Sequence, residues 1–427
     1  MTNETKGRIV TALQLFVGVV FIFSGFVKVV DPLGSLYKVT DYLTAFHWDA
    51  LKPLGFAGMN AMSAVEFVLG IGLVLGIRKK LVTLGVLAFM VFYTPLTLYL
   101  AIANPVSDCG CFGDALVITN WQTFWKNVFL LLAVIYIWKN LEYSNRGFCE
   151  KAEWAVLIYS FIFSIGLSAY CFQNLPVIDF RPYKIGANIQ KGMEIPEGAP
   201  KDEYKTTLIY EKDGKKQEFT MENYPKDTTW KFVDSKSELI QQGYVPPIHD
   251  FVLEHPDDGD ITDIILGDTN YVFLLVAHNL TEFDVVSNPG GAHFDYSDKV
   301  NAAYTYAHNH GYKFYCLTAT GVESDDMAKY KAATKPEYEY LNADEIMLKT
   351  IIRSSPGLMI IKKGDVINKW AVKNIPTFNE PLDSVKEGQM TLPNNWLTVL
   401  ICAILYLIPL GIGFAASKKL CCKNKEQ

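Results

Sequence analysis

A chain of 427 residues has room for two domains, and 50% hydrophobic content with a mean hydropathy of +0.13 is high for a purely soluble protein. A formal charge of -6 gives no support to nucleic-acid binding. Eight cysteines scattered along such a length argue against a disulfide scaffold.

Ile9–Val30 is the first apolar run long enough to cross about 30 Å of hydrocarbon at roughly 1.5 Å per residue. It exceeds a signal-peptide core, and the Lys28-Val29-Val30-Asp31-Pro32 that follows is no small-residue cleavage site, so it reads as a retained helix. Four more runs follow: Phe56–Ile77, Leu81–Ala103, Trp121–Trp138 and Ala152–Phe172. Asn395–Ala416 makes a sixth expected span. Pro95 is expected to kink the third span, and kinks often border cavities. Trp121, Trp125 and Trp138 read as an interfacial belt.

Lysine and arginine in the short loops orient the chain. Lys6, Arg8, Arg78, Lys79, Lys80, Lys139, Arg146, Lys151 and the tail lysines Lys418, Lys419, Lys423 and Lys425 fall on one side, against Lys38 and Lys52 on the other. This predicts a bacterial inner-membrane protein with both termini cytoplasmic and residues 173–394 extracytoplasmic. The short polar gap holding Cys109-Gly110-Cys111 then faces the oxidising side, while Cys149, Cys421 and Cys422 face the reducing one.

Between the fifth and sixth spans, Phe180–Val245 reads as a β-rich insertion. Strand-like Thr206–Tyr210 and Gln217–Met221 flank the hairpin signal Lys212-Asp213-Gly214-Lys215. From Pro246 the pattern changes. Strands are expected at Tyr271–His278, Tyr312–Thr318, Leu358–Ile361 and Val366–Trp370, with helices at Ser297–Asn309, Ser324–Ala333 and Asn342–Arg353. That alternation predicts an α/β sandwich around a mixed sheet. The expected divisions are 1–140 (a four-helix membrane bundle), 141–172 (fifth span), 173–244 (insertion), 245–380 (α/β domain) and 381–427 (sixth span and tail).

Two resemblances follow from these residues. Ser24-Gly25-Phe26-Val27-Lys28-Val29-Val30-Asp31-Pro32, with Glu66 in Val65-Glu66-Phe67-Val68-Leu69-Gly70, resembles the DoxX-like membrane proteins. Asp108-Cys109-Gly110-Cys111-Phe112-Gly113 is similar to the branch typified by the methylamine-utilisation protein MauE. Over about Gly7–Trp138 this implies a four-helix bundle associated with periplasmic thiol–disulfide chemistry. Over Val245–Ile375 the chain resembles thioredoxin-fold domains, through Pro247-Ile248-His249-Asp250-Phe251, the strand–helix order, and Ser355-Pro356-Gly357-Leu358 leading into the last hairpin. One departure is decisive. Where that family carries Cys-x-x-Cys, after Tyr271–His278, this chain reads Asn279-Leu280-Thr281-Glu282-Phe283-Asp284, with no thiol.

Cys109 and Cys111 are therefore the candidate catalytic pair. Gly110 relieves the strain of a ring closed across one residue, and a strained, exposed disulfide is relatively oxidising. Asp108 and Asp114 are expected to oppose thiolate formation by like-charge repulsion. A structural disulfide and a metal site are the alternatives. Two sulfurs are too few for a metal, and His47 is the only histidine in the outward membrane loops.

Glu66, near the middle of a span, is expensive there and so a functional candidate, with Lys28 its nearest partner. It reads either as a proton site or quinone-pocket acid, or as half of an ion pair that fixes packing. A cis peptide is expected before Pro356, with Ser355 and Pro356 presenting backbone to a partner strand. Cys316 and Cys402 read as packing thiols, and Cys171 lies near the outer boundary.

Two functions are compatible with these residues. One is thiol–disulfide exchange through Cys109 and Cys111, with a membrane quinone as candidate acceptor and a non-catalytic docking domain. The other is a non-enzymatic assembly or maturation factor whose Cys109–Cys111 bridge is structural. The expected partners are the bilayer and a periplasmic protein with redox-active thiols or a maturation client, with no nucleic acid and no metal.

Overall fold

The computed structural model describes residues 2–106, 108–144, 150–201, 203–212, 214–221, 223–225, 229–241, 243–280, 296–379, 382 and 395–423. Its first part is a helical bundle: α1 (Asn3–Val30), α2 (Pro32–Ala45), α3 (Lys52–Val74), α4 (Lys79–Ala103), α5 (Asn120–Lys139) and α6 (Glu150–Gln173). Among the described residues, five helical stretches are long and apolar enough to cross a membrane: Asn3–Val30, Asp49–Val74, Lys79–Ala103, Ala152–Gln173 and Leu397–Ala415.

The other run expected to span, Trp121–Trp138, falls in α5. It has the length, but Gln122, Lys126 and Asn127 lower the apolar character of its first half. Its second half packs as a bundle helix. Leu130, Val134 and Ile137 share one core with Val17 and Phe21 of α1 and with Val86 and Met90 of α4.

Helices α1 and α3 touch backbone to backbone. A Cβ on Gly25 would lie 2.5 Å from the Phe67 nitrogen, and one on Gly70 would lie 2.6 Å from the Ile22 nitrogen. Small residues permit this approach, as they do between membrane helices generally. It sets Lys28 of α1 opposite Glu66 of α3. Helix α2, which hydropathy does not single out, begins at Asp31-Pro32. Proline suits the first helical position, and the Asp31 carboxylate accepts the Gly34 N–H at 2.9 Å as the cap.

The remainder contains α7 (Ile189–Met193) and a three-stranded antiparallel sheet of β1 (Glu203–Lys212), β2 (Lys215–Thr220) and β3 (Lys231–Gln241), in the order β2-β1-β3. A second sheet holds β4 (Glu254–His255), β5 (Gly259–Asp260), β6 (Val272–Val276), β7 (Lys313–Thr318), β8 (Glu339–Asn342), β9 (Gly357–Lys362) and β10 (Asp365–Ala371). Their order is β10-β9-β6-β7-β8-β4-β5. Strand β6 runs parallel to β7 and antiparallel to β9. All five residues of β6 are buried, as befits a strand covered on both faces. Helices α8 (Thr262–Leu266), α9 (Ser297–Asn309), α10 (Asp325–Thr334) and α11 (Glu345–Ile351) flank the sheet in sequence. The helix expected from Asn342 starts later, at Glu345, because Asn342 ends β8 and Asp344 caps α11 through the Ile346 and Met347 amides. The C-terminal helix (Asn395–Lys423) lies beside α6, where the Tyr406 and Ser160 hydroxyls are 2.7 Å apart.

The segment joining the bundle to this sheet is tied down by a buried charge cluster. Lys369 of β10 donates to Asp179 at 2.7 Å and to the Ile351 carbonyl at 2.6 Å, while Arg181 donates to Asp179 at 2.8 Å. Burial works against the Asp179 charge, but Arg181 and Lys369 outweigh it and hold the carboxyl well below the usual range. A carboxyl with a folded pKa below its unfolded value stabilises above about pH 4, and that contribution is lost as the pH falls further. Asp179→Asn is expected to destabilise the domain by about 3–5 kcal/mol at neutral pH, because two cations remain buried without their counter-charge. Denaturant unfolding followed by the fluorescence of neighbouring Trp370 checks this, and the gap to wild type should narrow below about pH 4.

Candidate functional site

The loop between α4 and α5 is built from both ends. Thr119 caps α5 in a capping box with Gln122, and the Asn120 amide reaches back to the Asn104 side chain and the Val106 carbonyl, each at 3.0 Å. Within the loop, Gly110 has φ +64°, where a side chain would be strained, and its N–H donates to Asp108 at 2.8 Å. Two helices of the bundle hold the loop. Ser24 of α1 donates to the Cys111 carbonyl at 2.7 Å, and Tyr42 of α2 donates to the Cys109 carbonyl at 2.6 Å.

The outcome is a facing pair of thiols, with Sγ atoms 3.0 Å apart. The hydrogen bond from the Cys109 thiol draws Cys111 toward its thiolate; burial opposes this, and the amines of Lys126 and Lys28 add to the pull. Cys109 is pushed the other way by that same hydrogen bond, by burial and by the charge on Cys111. The expectation that Asp108 and Asp114 suppress the thiolate is therefore corrected for Cys111. Lys38 pairs with Asp108 at 2.6 Å and Arg353 pairs with Asp114 at 2.8 Å, so both carboxylates are spent on cations.

Glu66 and Lys28 meet at 2.7 Å, and Lys28 also donates to Ser24 at 3.1 Å. A polar chain thus runs from Glu66 through Lys28 and Ser24 to the Cys111 carbonyl. Beside it opens a cavity of about 540 Å³, bounded by α1, α2, α3, α4, α5 and the loop. Cys109, Cys111, Lys28, Glu66 and Lys126 all border it. Lys126 sits 4.2 Å over the Phe112 ring. Its polarity in an apolar helix was a usable signal, since a lysine so placed needs a reason. Tyr93 also lines the cavity, two residues before Pro95, and its buried hydroxyl has no partner among the described residues. Trp121 and Trp125 are exposed on the bundle exterior and are absent from the cavity wall.

The sheet-bearing region is seated on the loop's other side. Arg353 donates from Nε to both Asp31 carboxylate oxygens at 3.0 Å, and from a terminal nitrogen to Asp114. Tyr37 of α2 packs edge-on against His278 at the end of β6, and Lys349 lies 4.9 Å over the Tyr37 ring. The Ser355–Pro356 bond is cis. Both residues are buried, and Ser355 accepts the His278 N–H at 3.0 Å. The turn is held within the sheet region, where the Ser354 hydroxyl also donates to the Pro356 carbonyl at 2.6 Å. Thr281, Glu282, Phe283 and Asp284 lie outside the described residues. Cys316 is fully buried in β7 and burial pushes its thiol up, while Cys402 packs with Cys171. Cys149 and the side chains of Cys421 and Cys422 lie outside what the structure describes.

Comparison with known proteins finds matches in two parts of the chain. Residues 6–139 match the family described as methylamine utilisation protein MauE, and residues 204–242 match a domain of unknown function (DUF8463). Protein TlpB of Flavobacterium psychrophilum is 27% identical over 135 residues, covering 29% of this chain and 36% of that protein. The match thus spans about a third of the relative's own length. No solved structure matches. With the parallel β6–β7 pair, the antiparallel β9–β10 hairpin and the cis proline before β9, the conclusion is that this protein joins a MauE-type membrane domain to a thioredoxin-like region.

Proposed function

We propose that the protein is a membrane thiol–disulfide exchange factor in which Cys109 and Cys111 alternate between dithiol and disulfide, and that the loop and thioredoxin-like region face the outside of the inner membrane. The observation that carries this is the facing sulfur pair, with Cys111 drawn toward thiolate and Cys109 away from it. Such polarity suits exchange, in which the lower-pKa sulfur is the better leaving group. A client thiolate attacks the Cys109 sulfur of the loop disulfide, and Cys111 departs as thiolate. The client's second thiolate then displaces Cys109, which leaves a client disulfide and a loop dithiol. The thioredoxin-like region, without thiols at the end of β6, serves as the docking element, and lifting Arg353 from its seat frees the Ser355–Pro356 turn for the client.

The test is trapping. Run in reverse from the oxidised client, the Cys109 thiolate attacks the client disulfide and Cys111 resolves the product, so Cys111→Ser is expected to accumulate a mixed disulfide that reductant releases, and the double Cys→Ser variant to form none. Alkylation of wild type in cells should show both oxidised and reduced pairs. A pair that stays wholly oxidised, together with full function in the double variant, favours the maturation-factor reading, in which the bridge only pins the loop.

A further inference from the structure

Cys109 and Cys111 border a cavity open on one side, and the character of that space points to what the dithiol reacts with on its inner side. At about 540 Å³ it falls within the usual range for small-molecule sites, roughly 300–1,000 Å³. Its lining is apolar and aromatic toward the lipid side. Phe46 packs at a tilt against Trp48 at 5.5 Å and against Tyr99 at 5.7 Å between ring centroids. Trp48, Phe92 and Tyr99 border the cavity and are also exposed on the bundle surface, Phe92 at 63%. In a bilayer that rim is a lateral opening, so the occupant enters from lipid rather than from water.

The deep wall has different chemistry. Lys28, Ser24 and Glu66 meet there, Lys126 faces in from α5, and the buried Tyr93 hydroxyl has no acceptor among the described residues. A buried hydroxyl without a partner is costly unless something supplies one. These groups call for oxygen acceptors on a flat, otherwise apolar body. A lipid acyl chain offers no such oxygens in the aromatic part of the cavity, and it has no chemistry with a dithiol.

We propose that this cavity binds a lipid-soluble quinone and that the Cys109–Cys111 dithiol is its two-electron donor. The Tyr93 hydroxyl donates to one ring oxygen, and the Lys28 end of the polar chain faces the other. In the step, the S–H bonds of Cys109 and Cys111 break and the S–S bond forms. Two electrons pass from the sulfurs to the ring, and the two protons end on the two ring oxygens, giving disulfide and hydroquinone. The quinone is reduced, the dithiol oxidised, and no further reactant is required. This rests on the exchange function proposed above and adds its electron acceptor.

The experiment uses the full chain in detergent with decylubiquinone as probe. Titration is expected to quench the fluorescence of cavity-lining Trp48 in wild type but not in Trp48→Phe. The pre-reduced protein should convert decylubiquinone to its quinol, one per disulfide formed, while the double Cys→Ser variant still binds but reduces none. Tyr93→Phe removes only the hydroxyl and is expected to weaken binding about fivefold to tenfold, while exchange of the reduced pair with a small external disulfide stays at the wild-type rate. Leu96→Trp, which fills the cavity, should abolish quinone binding. Normal exchange with the external disulfide but no quinone binding or reduction overturns this inference and leaves the exchange function standing. Quinone binding without disulfide formation overturns the electron transfer. Failure of exchange itself overturns the underlying reading.

Discussion

Glu66→Leu will destabilise the membrane domain by about 3–5 kcal/mol, and Lys28→Met made in the same chain will restore most of that loss. Both side chains are nearly buried, at 13% exposure for Lys28 and 5% for Glu66, and their 2.7 Å contact lies where Gly25 and Gly70 bring α1 and α3 together. Removing one partner leaves a charge in an apolar bundle without its counter-ion. Removing both replaces an ion pair with packed hydrocarbon, which is often neutral in stability. Thermal unfolding of the two single variants and the double in detergent measures this. A double variant as unstable as the sum of the singles would show that the two groups act independently.

Arg353→Leu will unseat the thioredoxin-like region. Arg353 is 6% exposed and bridges Asp31 and Asp114, so its loss leaves two carboxylates on the membrane domain facing an apolar surface. Breaking a buried pair on one side costs about 3–5 kcal/mol, with Asp114 contributing less because it is partly exposed. Hydrogen exchange of backbone amides around Tyr37 and Ser355 should accelerate at least tenfold. Arg353→Lys should fail to rescue, since one ammonium cannot reproduce the fork that reaches both carboxylates. Wild-type exchange in the lysine variant would falsify the clamp.

Much of this architecture was legible in the chain. Apolar runs marked the spans, and the alternation from Tyr271 to Trp370 marked the α/β layers, because burial imposes a period that short windows reveal. Glu66 and Lys28 stood out because charge inside a span is expensive. What escaped was whatever depends on distant pairing. Helix α2 has no long apolar face, yet its Lys38 and Tyr42 hold the Cys109–Cys111 loop. Strand β8 is four residues long, too short for alternation to mark, and only its last residue, Asn342, falls in the helix expected there. The Asp108 and Asp114 carboxylates look repulsive toward the thiols in sequence, and only Lys38, 70 positions away, and Arg353, 239 positions away, cancel them. The weaker hydropathy of α5 has a related reason. The polar side chains that make α5 less apolar include Lys126 and Asn127, both on the cavity wall.

Asp31 does two jobs with one carboxylate. It caps α2 through the Gly34 amide and receives Arg353. Helix α2 is also a wall of the cavity, through Ser35, Lys38 and Tyr42. The seat of the outer region and one wall of the inner chamber therefore meet at a single side chain. By reciprocity, whatever factor a cavity occupant applies to the binding of a client that requires Arg353 to be released, the client applies to the occupant.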